Sequence, residues 1–128
     1  MDTDGELLYR EICALILKAF YEVYNTLGYG HLEAVYKRAM VVALREKGLH
    51  VDVERLFKVF YHGLNVGNYR ADLVVENKII LEAKTAIRIG PPDTAQCFNY
   101  LKASKMHVGF VINFGPEPKF ERHYLSNP

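Results

Sequence analysis

From Leu8 to Leu27 the apolar positions recur at steps of three and four: Leu8, Ile12, Leu15, Ile16, Ala19, Val23 and Leu27. That period draws one stripe down a helix, predicted over Glu6 to Leu27 with Tyr9, Tyr21 and Tyr24 along its edges. An aromatic-edged stripe of this kind is core before it is a ligand box. Gly28-Tyr29-Gly30 ends the helix, and with no strand or lysine in the required place it matches neither a Walker loop nor a dinucleotide fingerprint. A second helix is predicted from about His31 to Lys47, closed by Gly48. Leu32, Val35, Ala39, Val42 and Ala43 supply its buried face, while Lys37, Arg38, Arg45, Glu46 and Lys47 face solvent.

At Val51 the period changes from helical to alternating, and strands are predicted over Val51 to Tyr61 and Leu64 to Val66. His62-Gly63 and Gly67-Asn68 read as turns. A hairpin follows from Tyr69 to Lys84, its two Val-, Ile- and Leu-rich runs separated by Glu76-Asn77-Lys78. Thr85 to Pro92 reads as a loop in which Gly90-Pro91-Pro92 blocks regular structure. Asp93 is a good N-cap for a third helix over about Thr94 to Lys105. A buried strand from His107 to Phe114, a Gly-Pro-Glu-Pro turn and an edge strand near Phe120 to Tyr124 complete the chain. The order ααβββ(β)αββ predicts an α/β (α+β) fold with a central mixed sheet flanked by helices.

Composition narrows the setting. Half of the 128 residues are hydrophobic, enough for one compact domain over 1–128 with a real core. Charged residues make up 24% and the net charge is +1, so disorder is not expected and nucleic-acid binding must come from a local patch. Cys13 and Cys97 have no paired spacing and read as buried free thiols of a reducing compartment. The N-terminus, Met-Asp-Thr-Asp-Gly-Glu, does not have the pattern of a signal peptide. Apolar runs such as Ile12 to Leu17 are too short to span a bilayer. A soluble, intracellular and cytoplasmic protein with no membrane partner is the expectation.

The hairpin carries the candidate chemistry. Centred on Asn77, it sets Asp72 across from Glu82, with Lys84 two residues on along the same face. Opposed like charges destabilise a sheet, and two carboxylates at that distance resist both being ionised. A divalent cation removes the conflict, since Mg²⁺ or Mn²⁺ prefers hard oxygen ligands. Register decides this, because a slip of one residue sends Glu82 and Lys84 to the other face; a solvated hairpin is the plain alternative. Metal-assisted phosphodiester hydrolysis needs such an ion and a cation near the reacting group. Asp72 and Glu82 would bind the ion, the Ala83 carbonyl could add a ligand, and Lys84 would act as the point charge. Gln96 and Tyr100 project together from the third helix and could contact phosphate or the lysine, although an ordinary amphipathic helix explains them as well. Arg70 could contact phosphate or neutralise Asp72, and Arg88 and Lys102 could extend a phosphate-binding strip. For Glu33 the helix dipole is sufficient explanation; Tyr36 shares its face and is a candidate substrate contact. The five histidines show no zinc spacing, and no serine sits in a nucleophile elbow.

These residues resemble the PD-(D/E)XK nuclease superfamily, with Asp72 as the first motif acid and Glu82-Ala83-Lys84 as the E-x-K. Gln96-x-x-x-Tyr100 is similar to the Q-x-x-x-Y motif of RecB-type members. Gly30-His31-Leu32-Glu33-Ala34-Val35-Tyr36 is similar to the signature of the small GxxExxY proteins assigned to that superfamily. The resemblance runs from about Leu7 to Leu125 and includes Ile112-Asn113-Phe114-Gly115. It implies a restriction-endonuclease-like core in which Glu33, Asp72, Glu82 and Lys84 converge, supported by Gln96 and Tyr100, and it implies the register that opposes the acids. Ala71 stands where the superfamily's name expects a proline, and many members lack it. The expected activity is Mg²⁺- or Mn²⁺-dependent hydrolysis of phosphodiester bonds in nucleic acid, DNA ahead of RNA, with a homodimer suited to cutting a duplex. A non-catalytic nucleic-acid- or partner-binding module that keeps the fold is the alternative.

Overall fold

The structure is a computed structural model, and it describes residues 8–128. The predicted start of the first helix at Glu6 lies outside the described residues. Helix α1 runs over Arg10–Leu27 and α2 over Glu33–Glu46. Strands β1 (Val51–Tyr61), β2 (Leu64–Val75) and β3 (Ile79–Lys84) follow, then α3 (Pro91–Ser104), β4 (Val108–Phe114) and β5 (Pro118–Tyr124). The five strands form one sheet in chain order, antiparallel except for the parallel pair β3–β4 that α3 connects. This is a mixed sheet flanked by helices, an α+β fold of the restriction-endonuclease-like kind.

The two faces of the sheet have separate cores. Ile16, Phe20, Tyr36, Met40 and Leu44 of α1 and α2 pack on Leu73, Val75, Ile79, Leu81 and Phe114. Leu101 of α3 packs on Ala71, Val74 and Ile80. Adjacent Ile79 and Ile80 go to opposite cores, as the two-residue period of a strand requires. Every residue of β4 is buried, because helices cover both of its faces. At Gly109 a Cβ would stand 2.9 Å from the Cys97 sulfur, so glycine is what lets α3 settle onto β4. Both cysteines are buried free thiols.

Several local expectations fail for identifiable reasons. Gly67 and Asn68 are not a turn; β2 passes through them, and the pairing changes register between Val59 and Phe60. Glycine inside a strand often marks such a bulge. Pro91 and Pro92 do not block structure but open α3, where a missing N–H costs nothing. Gly90 is therefore the N-cap, and Asp93 lies in the first turn, its Oδ2 accepting the Gly90 N–H at 2.9 Å. In α2 the buried stripe is rotated: Tyr36, Met40, Ala43 and Leu44 are buried, whereas Leu32 and Val42 are exposed.

Candidate active site

The β2–β3 hairpin is centred on Asn77, with Leu73 opposite Leu81 and Val75 opposite Ile79. Beyond Leu73 the side chains take over from the backbone ladder. The Asp72 N–H donates to Glu82 Oε2 at 3.0 Å, and the Ala83 N–H donates to Asp72 Oδ2 at 2.9 Å. Each carboxylate thus completes the other strand's backbone. Glu82 is 3% exposed, and burial followed by the Asp72 charge pushes its carboxyl up to about 8. The Asp72 N–H, Lys84 and Lys37 pull the other way without winning.

Asp72 sits at a break in the sheet. Ala71 and Val74 both belong to the core under α3, while Leu73 and Val75 belong to the other, so strict alternation is interrupted there. Across on β1, Glu54 has φ +55°, and pairing skips it between Val53–Leu73 and Arg55–Ala71. A non-glycine residue in that region is strained and persists only when its surroundings hold it. Lys37 supplies part of that hold: its Nζ lies 2.8 Å from Glu54 Oε2 and 3.3 Å from Asp72 Oδ1. Expected in solvent, Lys37 is instead a cation of the site. The Glu54 hydrogen bond raises its pKa, and the same contact lowers that of Glu54.

Lys84 Nζ donates to Gln96 Oε1 at 2.9 Å and lies 3.9 Å from Asp93 Oδ1, so α3 holds the lysine. Glu33 begins α2 and is half-buried. Burial first, then Asp72, raises its carboxyl, while Lys84 and Lys37 lower it, which places it among the same charges. Burial raises the Tyr100 hydroxyl, and so do Glu82 and Asp72; its ring meets Tyr69 edge-on at 5.6 Å. The structure thus brings Glu33, Asp72, Glu82, Ala83, Lys84, Gln96 and Tyr100 together. It does not bring Tyr36, which is wholly buried. The Tyr36 hydroxyl donates to the Gly28 carbonyl and accepts the His31 N–H at 3.1 Å, while its ring stacks on Phe114 at 4.4 Å. Expected as a substrate contact, it is a clamp on the turn that delivers Glu33. Arg70 reaches the Glu54 carbonyl at 3.4 Å rather than Asp72. Arg88 is exposed in the loop after β3, and Lys102 lines a groove with Lys58.

Asn113 also supports the site, a role the sequence marked only as a strand end. Fully buried and paired with Lys84 across β3–β4, it accepts the Ala86 N–H at 2.9 Å and donates to the Ala86 carbonyl at 3.0 Å. The chain leaving Lys84 is fixed as though by one more strand. Tyr24 adds a second tie, donating to the Gly115 carbonyl at 2.8 Å.

Sequence and structure comparisons agree with this frame. Residues 10–123 match the family model of the PD-(D/E)XK nuclease superfamily, and the chain belongs to that superfamily. A search of curated proteins finds no match. Among solved structures, one described as the crystal structure of SSO0001 superposes with a TM-score of 0.57 at 16% identity, over 91% of this chain. That likeness bears on the fold, and the chain spans 57% of the length of that protein.

Nucleases of this superfamily typically use divalent metal ions. Among the described residues no three His, Cys, Asp or Glu side chains form a group that could hold an ion. Two carboxylates do suit Mg²⁺, which is commonly held by one or two of them together with water and substrate phosphate. In a strand the N–H and C=O of one residue leave on the same side, so the Ala83 carbonyl faces Asp72 along with its N–H. The donor set is hard oxygen, and burial first, then the Asp72 charge, disfavours the ionised Glu82 that a cation would stabilise. Among the described residues no helix is long and apolar enough to cross a membrane.

Proposed function

We propose that this protein is a nuclease that hydrolyses phosphodiester bonds, DNA ahead of RNA, with Mg²⁺ or Mn²⁺ at Asp72 and Glu82, and that it belongs with the small GxxExxY members of its superfamily. The observation that carries the reading is a buried glutamate cross-bonded to Asp72 beside a lysine tethered by Gln96. A fold alone gains nothing from that cost, and groups pushed this far from their ordinary pKa gather at functional sites. When bound, the ion would offset charge on the phosphate and acidify a water. Lys84, fixed on one side by α3, supplies a positive charge where negative charge develops. Gln96 sets the direction of that charge, Tyr100 offers a hydroxyl, and Glu33 adds a third carboxyl at the edge of the acid pair. Titration calorimetry with Mn²⁺ tests the ligand set. Wild type is expected to bind, and Asp72→Asn, which keeps the shape without the charge, is expected not to; equal binding by both would remove Asp72 from it.

One observation favours a second reading, a non-catalytic module that keeps the fold. Three of the four carboxylate oxygens of the pair already have partners, two backbone N–H groups and Lys37. A site content in that state would show no Mn²⁺ binding in wild type.

A further inference from the structure

Past Tyr100 the sheet carries a second feature that the acid site does not use. The distal half of the β1–β2 hairpin and the end of α3 enclose a groove of about 470 Å³, lined by Lys58, Lys102, Lys105, Asn99, Phe60 and Tyr69. No acidic residue lines it. Among the described residues the side chains of its three lysines make no ion pair or hydrogen bond. Lys102 and Lys105 sit at the C-terminal end of α3, where the helix dipole favours cations, but that explanation does not reach Lys58 on the opposite strand. Three full charges also outweigh the roughly half negative charge of a helix end. The groove is therefore a positive trough, and Phe60, which lines it, is 60% exposed overall.

Resting on the nuclease reading above, we infer that this groove is a track for single-stranded nucleic acid leading to the acid site. The three lysines and Asn99 face the phosphates, and Phe60 and Tyr69 offer ring faces to bases. Aromatic faces beside a basic groove bind single strands because every unpaired base has a face to stack; in a duplex those faces are already covered. The volume suits a nucleotide or two, being within the roughly 300–1,000 Å³ range of small-ligand sites. The groove borders the acid site through Tyr69, whose ring meets that of Tyr100 edge-on at 5.6 Å.

Anisotropy of a fluorescein-labelled oligodeoxythymidylate, measured in EDTA across a salt series, tests the groove without any cleavage. Wild type is expected to bind with a salt dependence that falls in slope by about 2 in Lys58→Gln/Lys102→Gln/Lys105→Gln, from about 0.7 per phosphate contact. Phe60→Ala is expected to weaken binding about fivefold or more. The charge-matched control Arg10→Gln/Lys18→Gln/Lys119→Gln, distant from the groove, is expected to bind as wild type does. No binding by wild type overturns the inference, as do equal losses in the two triple variants or tighter binding of the matching duplex. Binding that follows the groove lysines in a protein that cuts nothing would keep the track and sink the nuclease reading.

Discussion

Replacing Glu82 by glutamine should make the metal-free protein more stable at neutral pH, although the residue lies at the heart of the site. The folded carboxyl is raised from 4.5 to about 8, a gap of about 3.5 pH units. An unfolded chain releases this proton near 4.5, while the folded chain holds it until about 8. Between those values the native state binds more protons, so stability falls as pH rises, by about 1.4 kcal/mol per unit. By pH 7 the loss reaches an upper bound of about 3.4 kcal/mol. Local relaxation and water entry reduce it, leaving about 2–3 kcal/mol. Glutamine keeps an oxygen for the Asp72 N–H and carries no charge to desolvate. Urea denaturation of both proteins in EDTA, from about pH 5 to about pH 8.5, separates this term from all other titrations by difference. The variant's advantage should be near zero at the acid end, grow through neutrality and level off above about pH 8. A difference that does not change with pH would refute the reasoning, and so would a variant less stable throughout.

The clamps around the site have their own signatures. Tyr36→Phe strips the hydroxyl from the Gly28 carbonyl and the His31 N–H, and should cost about 1–3 kcal/mol in denaturation. Asn113→Ala leaves both Ala86 backbone groups without their partner; a loss of about 2–3 kcal/mol is expected, while a melting temperature equal to wild type would dismiss the tie. Lys37→Met removes a cation 3.3 Å from Asp72, so Mn²⁺ should bind more tightly by calorimetry, at a stability cost of about 1 kcal/mol or less.

Much of the frame was legible because it rests on local pattern. The run Leu-Val-Val-Glu-Asn-Lys-Ile-Ile-Leu centres its own hairpin, and Leu73 meets Leu81 as that symmetry requires. The six apolar residues of α1 that the period selects and the structure buries or half-buries, Ile12, Leu15, Ile16, Ala19, Val23 and Leu27, show the same economy. What escaped depends on contacts distant in sequence. Nothing in the local pattern distinguishes Lys37 from Arg38; only folding brings Asp72 and Glu54 to the former. The left-handed turn at Glu54 carries no glycine to announce it. Tyr36 was read from its helical neighbour Glu33, but a helix turns about 100° per residue, and three steps left its ring on Phe114 instead of at the site. Pro91 and Pro92 misled for a different reason: proline breaks a helix interior yet fits a first turn, and spacing alone does not say which applies.

Cleavage itself is the most direct test of the account. A labelled single-stranded oligonucleotide would be incubated with Mn²⁺ and wild type, Asp72→Asn, Glu82→Gln or Lys84→Ala, each purified alike and checked for a folded-state melting transition. Wild type is expected to cut and to stop in EDTA, and each variant to lose about 100-fold or more in rate. A well-folded variant that cuts as fast as wild type, or a wild type that cuts neither single strand nor duplex, would contradict it.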